Sequence, residues 1–330
     1  MAWKLYGSVG ALALAGVIGA VAATREGREL AQSTIQVVRG PAATSRAPAA
    51  QAARTVPSAA VAVQATPHFR IRMVVPAYFY PESDGSDWDA MTAALARVDV
   101  VAIMNPASGP GRAGKPLNAD YVKAVDAFRA AGGVVLGYVP SGYSGRRVNS
   151  GSSCKPAAGA TTYTPADVAD CAARYAGYKV DGIFVDEMGV LGNRPTSEAD
   201  AFYTEVYDRL KMTNARWTVM GNPGTDAPES YLRKGRAGGA DSLMTFENPA
   251  ANYPSATPAP YTVNYQPRRF ANVLHTAPRT IDFPGVLATA KARNVGYIYV
   301  TDDMLPNPYD RLPADWAKQV RQLATFNRTN

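Results

Sequence analysis

Histidine and cysteine are nearly missing, with two of each in 330 residues. That scarcity excludes a zinc finger, a four-cysteine site and a three-histidine catalytic metal centre, and leaves little room for iron–sulfur chemistry. No G-x-S-x-G elbow appears, so a Ser-His-Asp hydrolase finds no support. No Gly-rich anion loop follows the last β-rich runs, which argues against a phosphate ligand. Charged residues are also sparse, at 18%. The net charge of +7 is concentrated at one end: residues 1–66 hold six basic and two acidic side chains, leaving +3 on the remainder. That remainder has no Lys/Arg cluster interleaved with aromatics, so no nucleic-acid partner is expected. What is present is a 47% hydrophobic chain, enough to build a sizeable core in one large domain or two modest ones.

The N-terminus reads as a targeting segment. Lys4 precedes a charge-free stretch over 5–24, with a small-residue exit at Ala20-Val21-Ala22 and bases at Arg25 and Arg28. A positive start, an apolar middle and a small-residue exit make a secretory signal; 20 uncharged residues also just span a bilayer core as an anchor. Either alternative carries the bulk of the chain out of the cytoplasm, with a membrane tether in the second. Residues 41–66 contain 11 alanines and three prolines with no aromatic and no acid, so 25–66 reads as a low-complexity linker. The domain should begin near Pro67 and run to 330. Cys154 and Cys171, an even pair in an exported chain, are expected to form a disulfide.

From Pro67 onward, strand and helix patterns alternate. Apolar β-rich runs occur at 71–80, 98–104, 134–139, 182–185, 217–220, 242–246, 271–274 and 295–300. Helix-period segments fall at 88–97, 119–131, 165–175, 197–212, 228–234, 284–292 and 313–326. Thr164-Pro165, Thr196-Ser197 and Asp282-Phe283-Pro284 are helix starts of the usual kind. Only the stretch after Glu247 reads as a long loop. Eight buried strands alternating with helices predict an α/β fold, a (β/α)8 TIM-type barrel. A doubly wound sheet would carry a Gly-rich first βα turn, and this one is YFYPESDGSDW.

In such a barrel the chemistry gathers at the C-terminal strand ends. Those ends carry Tyr78 and Tyr80, Asn105, Tyr138 and Tyr143, Asp186 and Glu187, Asn222, Glu247, His275, and Asp302 with Asp303. Strand alternation sends Asp186 and Glu187 to opposite faces until the strand ends, so one should face the barrel axis and the other brace it or reach in from the rim. Glu247, two strands away, can face either. Two carboxylates flanking a bond are what glycoside hydrolysis requires, and aromatic faces stack on sugar rings. The plainer alternative is that these acids cap helices or pair with Arg146, Arg147 or Arg279.

The segments PAYFYP…W, IMNPASGPG, GYVPSGYSGRR, DGIFVDE, GNPG, FEN and TDD…NPYDRLPADW together resemble the spherulin-4 (spherulation-specific family 4) proteins from about 72 to 320. The resemblance implies a (β/α)8 fold and an exported glycoside hydrolase that cleaves galactosamine- or N-acetylgalactosamine-containing exopolysaccharide, such as α-1,4-linked polymers of biofilms. It places Asp186, Glu187 and Glu247 on the family's acidic positions, and Asn105, Tyr138, Asn222 and Asp302 on cleft-lining ones. The Ala-rich linker, the Cys154–Cys171 insertion and the PSGYSGRR segment depart from the family's pattern and bear on substrate choice. No cofactor or metal is implied; the partner is the polysaccharide itself, met by a monomer.

The resulting expectation makes Asp186 the nucleophile or oriented base, Glu247 the general acid and Glu187 the exchange candidate for either. Tyr80, Asn105, Tyr138, Tyr143, Asn222, His275 and Asp302 are the expected substrate contacts. DGIFVDE is also loosely similar to the strand-4 acids of chitinase-like barrels, which admits assistance by an N-acetyl group. The runner-up is a non-catalytic carbohydrate-binding envelope protein on the same fold. A metal-dependent deacetylase built on His275 and Asp302-Asp303 has too few ligands.

Overall fold

The computed structural model describes residues 69–330 apart from 83–84, 149, 157 and 190–195. The signal segment, the linker and the domain start at Pro67 lie outside the described residues. The strands are Arg72–Ala77 (β1), Val100–Met104 (β2), Val134–Pro140 (β3), Gly182–Asp186 (β4), Thr218–Gly221 (β5), Ser242–Pro249 (β6), Phe270–His275 (β7) and Tyr297–Val300 (β8). Each pairs in parallel with the next, and β1 closes onto β8 through Arg72–Tyr297 and Met73–Ile298. The closed (β/α)8 barrel predicted by the alternation is the fold. Its strands are apolar on both faces because one face fills the barrel and the other lies beneath helices.

The helices are Asp87–Ala94 (α1), Ala119–Ala130 (α2), Pro165–Ala173 (α4), Thr196–Thr213 (α5), Phe283–Ala292 (α6) and Trp316–Thr329 (α7), with a single left-handed turn, Gly142–Gly145 (α3), between α2 and α4. Four of their starts are set by side chains that satisfy the free N–H groups of a first turn. Ser86 with Asp89 and Thr164 with Asp167 form reciprocal capping boxes, while Asn118 and Asp282 cap α2 and α6. Helix meets sheet closely at Gly137, where a Cβ would lie 2.5 Å from the Tyr175 ring. That places Gly137 outward and its neighbour Tyr138 inward.

One predicted helix is absent. Residues 228–234 form only a short 3-10 turn, Glu229–Tyr231, and the chain then doubles back with Lys234 bridging Ala237. Gly235 and Gly238, at φ of 63° and 89°, take left-handed conformations that permit this reversal and end any helix. The long loop after Glu247 is loop as expected, with 3-10 turns at Ala250–Asn252, Pro260–Asn264 and Pro267–Arg269. Cys154 and Cys171 are joined, with Cα atoms 5.4 Å apart, and tie the β3–α4 connection to α4 beside the barrel mouth.

Candidate active site

Strand phase decides which acids face the axis. On β4, Phe184 and Asp186 pair in register with Tyr138 and Pro140 of β3, so Asp186 shares the inward face of Tyr138. The Tyr138 hydroxyl donates to Asp186 Oδ2 at 2.7 Å. β6 needs a correction of phase to do the same. Leu243 pairs with Phe270 and Met244 with Ala271, but Phe246, not Thr245, pairs with Asn272. Thr245 is a bulge residue. An extra residue shifts the alternation by one, and Glu247 thereby turns inward where an unbroken strand would have turned it out.

Asn222, at the end of β5, joins the two. Its Nδ2 donates to Asp186 Oδ1 at 2.9 Å and to Glu247 Oε2 at 2.7 Å. The two N–H bonds of a planar amide diverge by roughly 120°, which puts the bridged oxygens about 5 Å apart. Flipping the amide would set its oxygen against two carboxylates, so its orientation is fixed. Its Oδ1 is then a buried acceptor without a partner among the described residues. The Tyr309 hydroxyl completes the set, donating to Glu247 Oε1 at 2.6 Å. The Tyr78 ring stands edge-on between Tyr138 and Tyr309, 5.7 Å and 5.5 Å from their centres.

Glu187 reaches in from the rim. The strand ends there with Glu187 at a left-handed φ of 55°, and Gly142 N–H donates to Glu187 Oε2 at 3.1 Å. Facing it, Gly142, Tyr143, Ser144 and Gly145 all have positive φ. Glycine is needed at both ends of this run: a Cβ would lie 2.0 Å from the Arg147 carbonyl oxygen at Gly142 and 2.2 Å from that of Tyr163 at Gly145. Tyr143 and Ser144 have no such freedom, and each costs roughly 1–2 kcal/mol in that region. A buried phenol offsets this. The Tyr203 hydroxyl on α5 accepts from Ser144 N at 2.8 Å and Gly189 N at 2.7 Å, and lies 3.3 Å from the Glu187 carbonyl oxygen.

Electrostatics follow from this packing. Burial pushes Asp186 above the usual carboxylate range and the Glu247 charge adds to it, against the Tyr138 and Asn222 donors. Burial, then the Asp186 charge, pushes Glu187 up to about 7, against Arg147 and the Gly142 N–H. Burial and the three acids also raise Tyr143, while burial and Glu247 raise Tyr309, so both phenols stay protonated.

Asp186, Glu187, Glu247, Tyr138, Tyr143 and Asn222 therefore come together. The other expected contacts are held by partners outside this group. Tyr80 is 41% exposed and donates to Asp120 at the start of α2. Asn105 Oδ1 accepts from Gly109 N at 2.9 Å and holds its own loop. His275 pairs with the Thr276 hydroxyl at 2.9 Å, and burial lowers its pKa. Asp302 lies 2.9 Å from Arg311 and 3.6 Å from Arg279. Tyr309 and Tyr203 were not singled out from the sequence. Tyr309 sits inside NPYDRLPADW, well beyond β8, and only the fold returns it to β1, where its carbonyl accepts from Tyr78 N at 3.2 Å.

The profile of the spherulation-specific family 4 matches residues 72–323, the barrel from β1 into α7. The chain belongs to that family. As a family 4 member it is 28% identical to Spherulin-4 of Physarum polycephalum over 251 residues, 73% of this chain and 66% of the relative. It therefore spans slightly under two thirds of that relative's length. Sph3 of Aspergillus clavatus, solved in complex with GalNAc, superposes with a TM-score of 0.61 at 23% identity, over 77% of this chain and 98% of that one. At that identity the likeness is one of fold, and it is the barrel that the two share.

Proposed function

We propose that the chain is an exported glycoside hydrolase acting on galactosamine- or N-acetylgalactosamine-containing polysaccharide. The observation that carries this reading is the Asn222 bridge: one amide nitrogen donates to both inward carboxylates, which puts the bridged oxygens about 5 Å apart, close to the spacing at which one carboxylate attacks the sugar while the other protonates the leaving oxygen. Asp186 and Glu247 each have both oxygens held by donors, and Asp186 is assigned as the nucleophile with Glu247 as the acid. The Asp186 oxygen bonds to the anomeric carbon as the glycosidic C–O bond breaks, and the leaving oxygen takes the proton of Glu247. Tyr309 can serve either state of Glu247, because a phenol oxygen accepts as readily as it donates. Water then adds at the anomeric carbon, gives its proton to Glu247 and releases Asp186.

Glu187 is the second candidate donor, since a carboxyl raised to about 7 keeps its proton near neutrality. The buried Asn222 Oδ1 suits a hydroxyl or N–H of the substrate. An acidic cleft suits an amine-bearing glycan through its field, and the Sph3 complex with GalNAc supports the same sugar class. The disulfide supports export, with the N-terminal segment as signal or tether and the barrel acting as a monomer.

The test is turnover of purified protein on galactosamine-containing polysaccharide, read by mass spectrometry of released oligomers and by the anomeric form of the first product. Retained configuration is expected. Polymer binding without products would replace this reading with a non-catalytic carbohydrate-binding protein.

A further inference from the structure

Two successive connections of the barrel carry no α-helix among the described residues: β5–β6 holds one 3-10 turn and β6–β7 holds three. Loop therefore covers the outer face of β6 and β7, and it leaves a cavity of about 330 Å³. The bulge at Thr245 gives this cavity its floor. Thr245 and Phe246 are neighbours that would face opposite ways in a regular strand, yet both line it, together with Asn272. Tyr253 forms the wall, and Asp226 and Asn248 the rim. Glu247 points the other way, into the barrel, so this space is separate from the catalytic cleft and backs onto the strand that aims it.

The lining has the chemistry of a sugar site. Phe246 and Tyr253 meet edge to face with ring centres 5.0 Å apart, offering an apolar corner. Behind them runs a chain of polar groups: the Tyr253 hydroxyl donates to Asn272 Oδ1 at 3.0 Å, and Asn272 Nδ2 to Thr245 Oγ1 at 3.2 Å. Thr245 accepts that bond, which frees its own proton for a ligand oxygen. Asp226 is a carboxylate at the rim, and one of its oxygens accepts from Ala259 N at 3.3 Å. The cation of the lining, Arg293, is held in place: it donates to the Tyr253 and Pro254 carbonyls at 2.7 and 3.1 Å and stacks on the Tyr253 ring at 4.6 Å. An anionic ligand would meet the Asp226 carboxylate at the rim, and the Arg293 N–H groups that bind the two carbonyls are not available to it. The volume lies at the low end of the ~300–1,000 Å³ of small-molecule sites, which suits a single ring and not an oligomer.

We propose that this cavity is a second saccharide site, taking one neutral or amine-bearing sugar ring on the outer side of the strand that carries Glu247. It goes beyond the catalytic reading and does not require turnover. The test is an NMR titration of the full chain with N-acetylgalactosamine, galactosamine and, as the anionic control, galacturonate. The Asn248 and Tyr253 amides are expected to shift and saturate with the first two sugars, with galacturonate at least ~10-fold weaker. Ala256→Phe, which fills the cavity from the loop side, should abolish those shifts while Asp186 and Glu187 respond as in the unaltered protein. Should that variant not fold, Asn248→Ala at the rim is expected to weaken the cavity response several-fold. Silent cavity amides, galacturonate binding as tightly as the neutral sugar, or an unchanged cavity response in a folded Ala256→Phe would each overturn the site. A responding cavity beside a silent cleft would uphold it and count against the glycosidase reading alone.

Discussion

The barrel mouth holds two groups of acids that look alike in sequence, Asp186-Glu187 after β4 and Asp302-Asp303 after β8, and the fold treats them in opposite ways. The first group, with Glu247, is met by neutral donors: two phenols, one amide and one backbone N–H. Burial then governs, and both Asp186 and Glu187 are pushed upward. The second group is met by Arg311 and Arg279. Burial would raise Asp302 as well, but the Arg311 hydrogen bond, the Ala314 N–H and the Arg311 charge more than offset it, and its pKa falls. An acid opposite a neutral donor keeps its chemistry available, whereas an acid opposite a guanidinium spends its charge on structure. The difference lies in the partners and not in the acids.

The largest effects should come from breaking the first group. Asp186→Asn or Glu247→Gln should lower turnover by ~10²–10⁴-fold, the range for a positioned acid or base, with unfolding temperature held or raised in Asp186→Asn, where a buried carboxyl pushed upward by burial is replaced. Steady-state kinetics beside thermal melts checks this; wild-type turnover in either variant would end the assignment. Tyr203→Phe should come next. It leaves Ser144 and Gly189 N–H groups without their acceptor and loosens the left-handed turn that faces Glu187. A fall in kcat of ~10-fold with little change in KM is expected, together with a displaced pH limb that a purely structural loss would not move.

Much of this architecture is legible in the chain. Eight apolar runs with capped helices between them, Thr164 with Asp167 for example, specify the barrel because period and caps are local properties. Asp186 and Glu247 are readable as strand-end acids for the same reason. The partners that separate them from Asp302 are not, because they are matters of strand phase and long-range return. Nothing local announces the Thr245 bulge, yet without it Glu247 faces outward. Tyr309 reaches Glu247 across 62 residues of sequence. Glu187 reaches the cleft only because the strand ends in a left-handed residue, where plain alternation would have sent it away.

The comparison is sharpened by pH. Glu187 moves from an ordinary 4.5 to about 7 in the folded state. A carboxyl whose folded pKa is raised contributes its stability below the unfolded value and loses it as pH climbs through the folded one. Glu187→Gln should therefore leave stability unchanged below about pH 4.5 and raise it between there and pH 7 and above. The gain is at most about 3 kcal/mol and is reduced by the group's residual solvent contact. Denaturant melts across pH 4–8 measure it, and a gain that shrank with rising pH would contradict the sign.

The smallest effect on activity should come from the second group. Asp302→Asn leaves Arg311 without its nearest carboxylate but removes nothing from the Asp186–Asn222–Glu247 bridge, so kcat and KM should stay within about 2- to 3-fold. Stability should fall by about 1–2 kcal/mol, because the lost bond is charge-assisted and Asp302 is only 12% exposed at its side chain. For a barrel of this size that is an unfolding-temperature drop of roughly 2–8 °C. Since Asp302 is pulled below the ordinary range, its contribution is present above the unfolded pKa and lost as pH falls through the folded one. The gap between wild type and Asp302→Asn should accordingly close towards pH 3, opposite in sense to the Glu187 effect. A large loss of kcat in a folded Asp302→Asn would instead return that acid to the cleft, and the contrast between the two groups would fail.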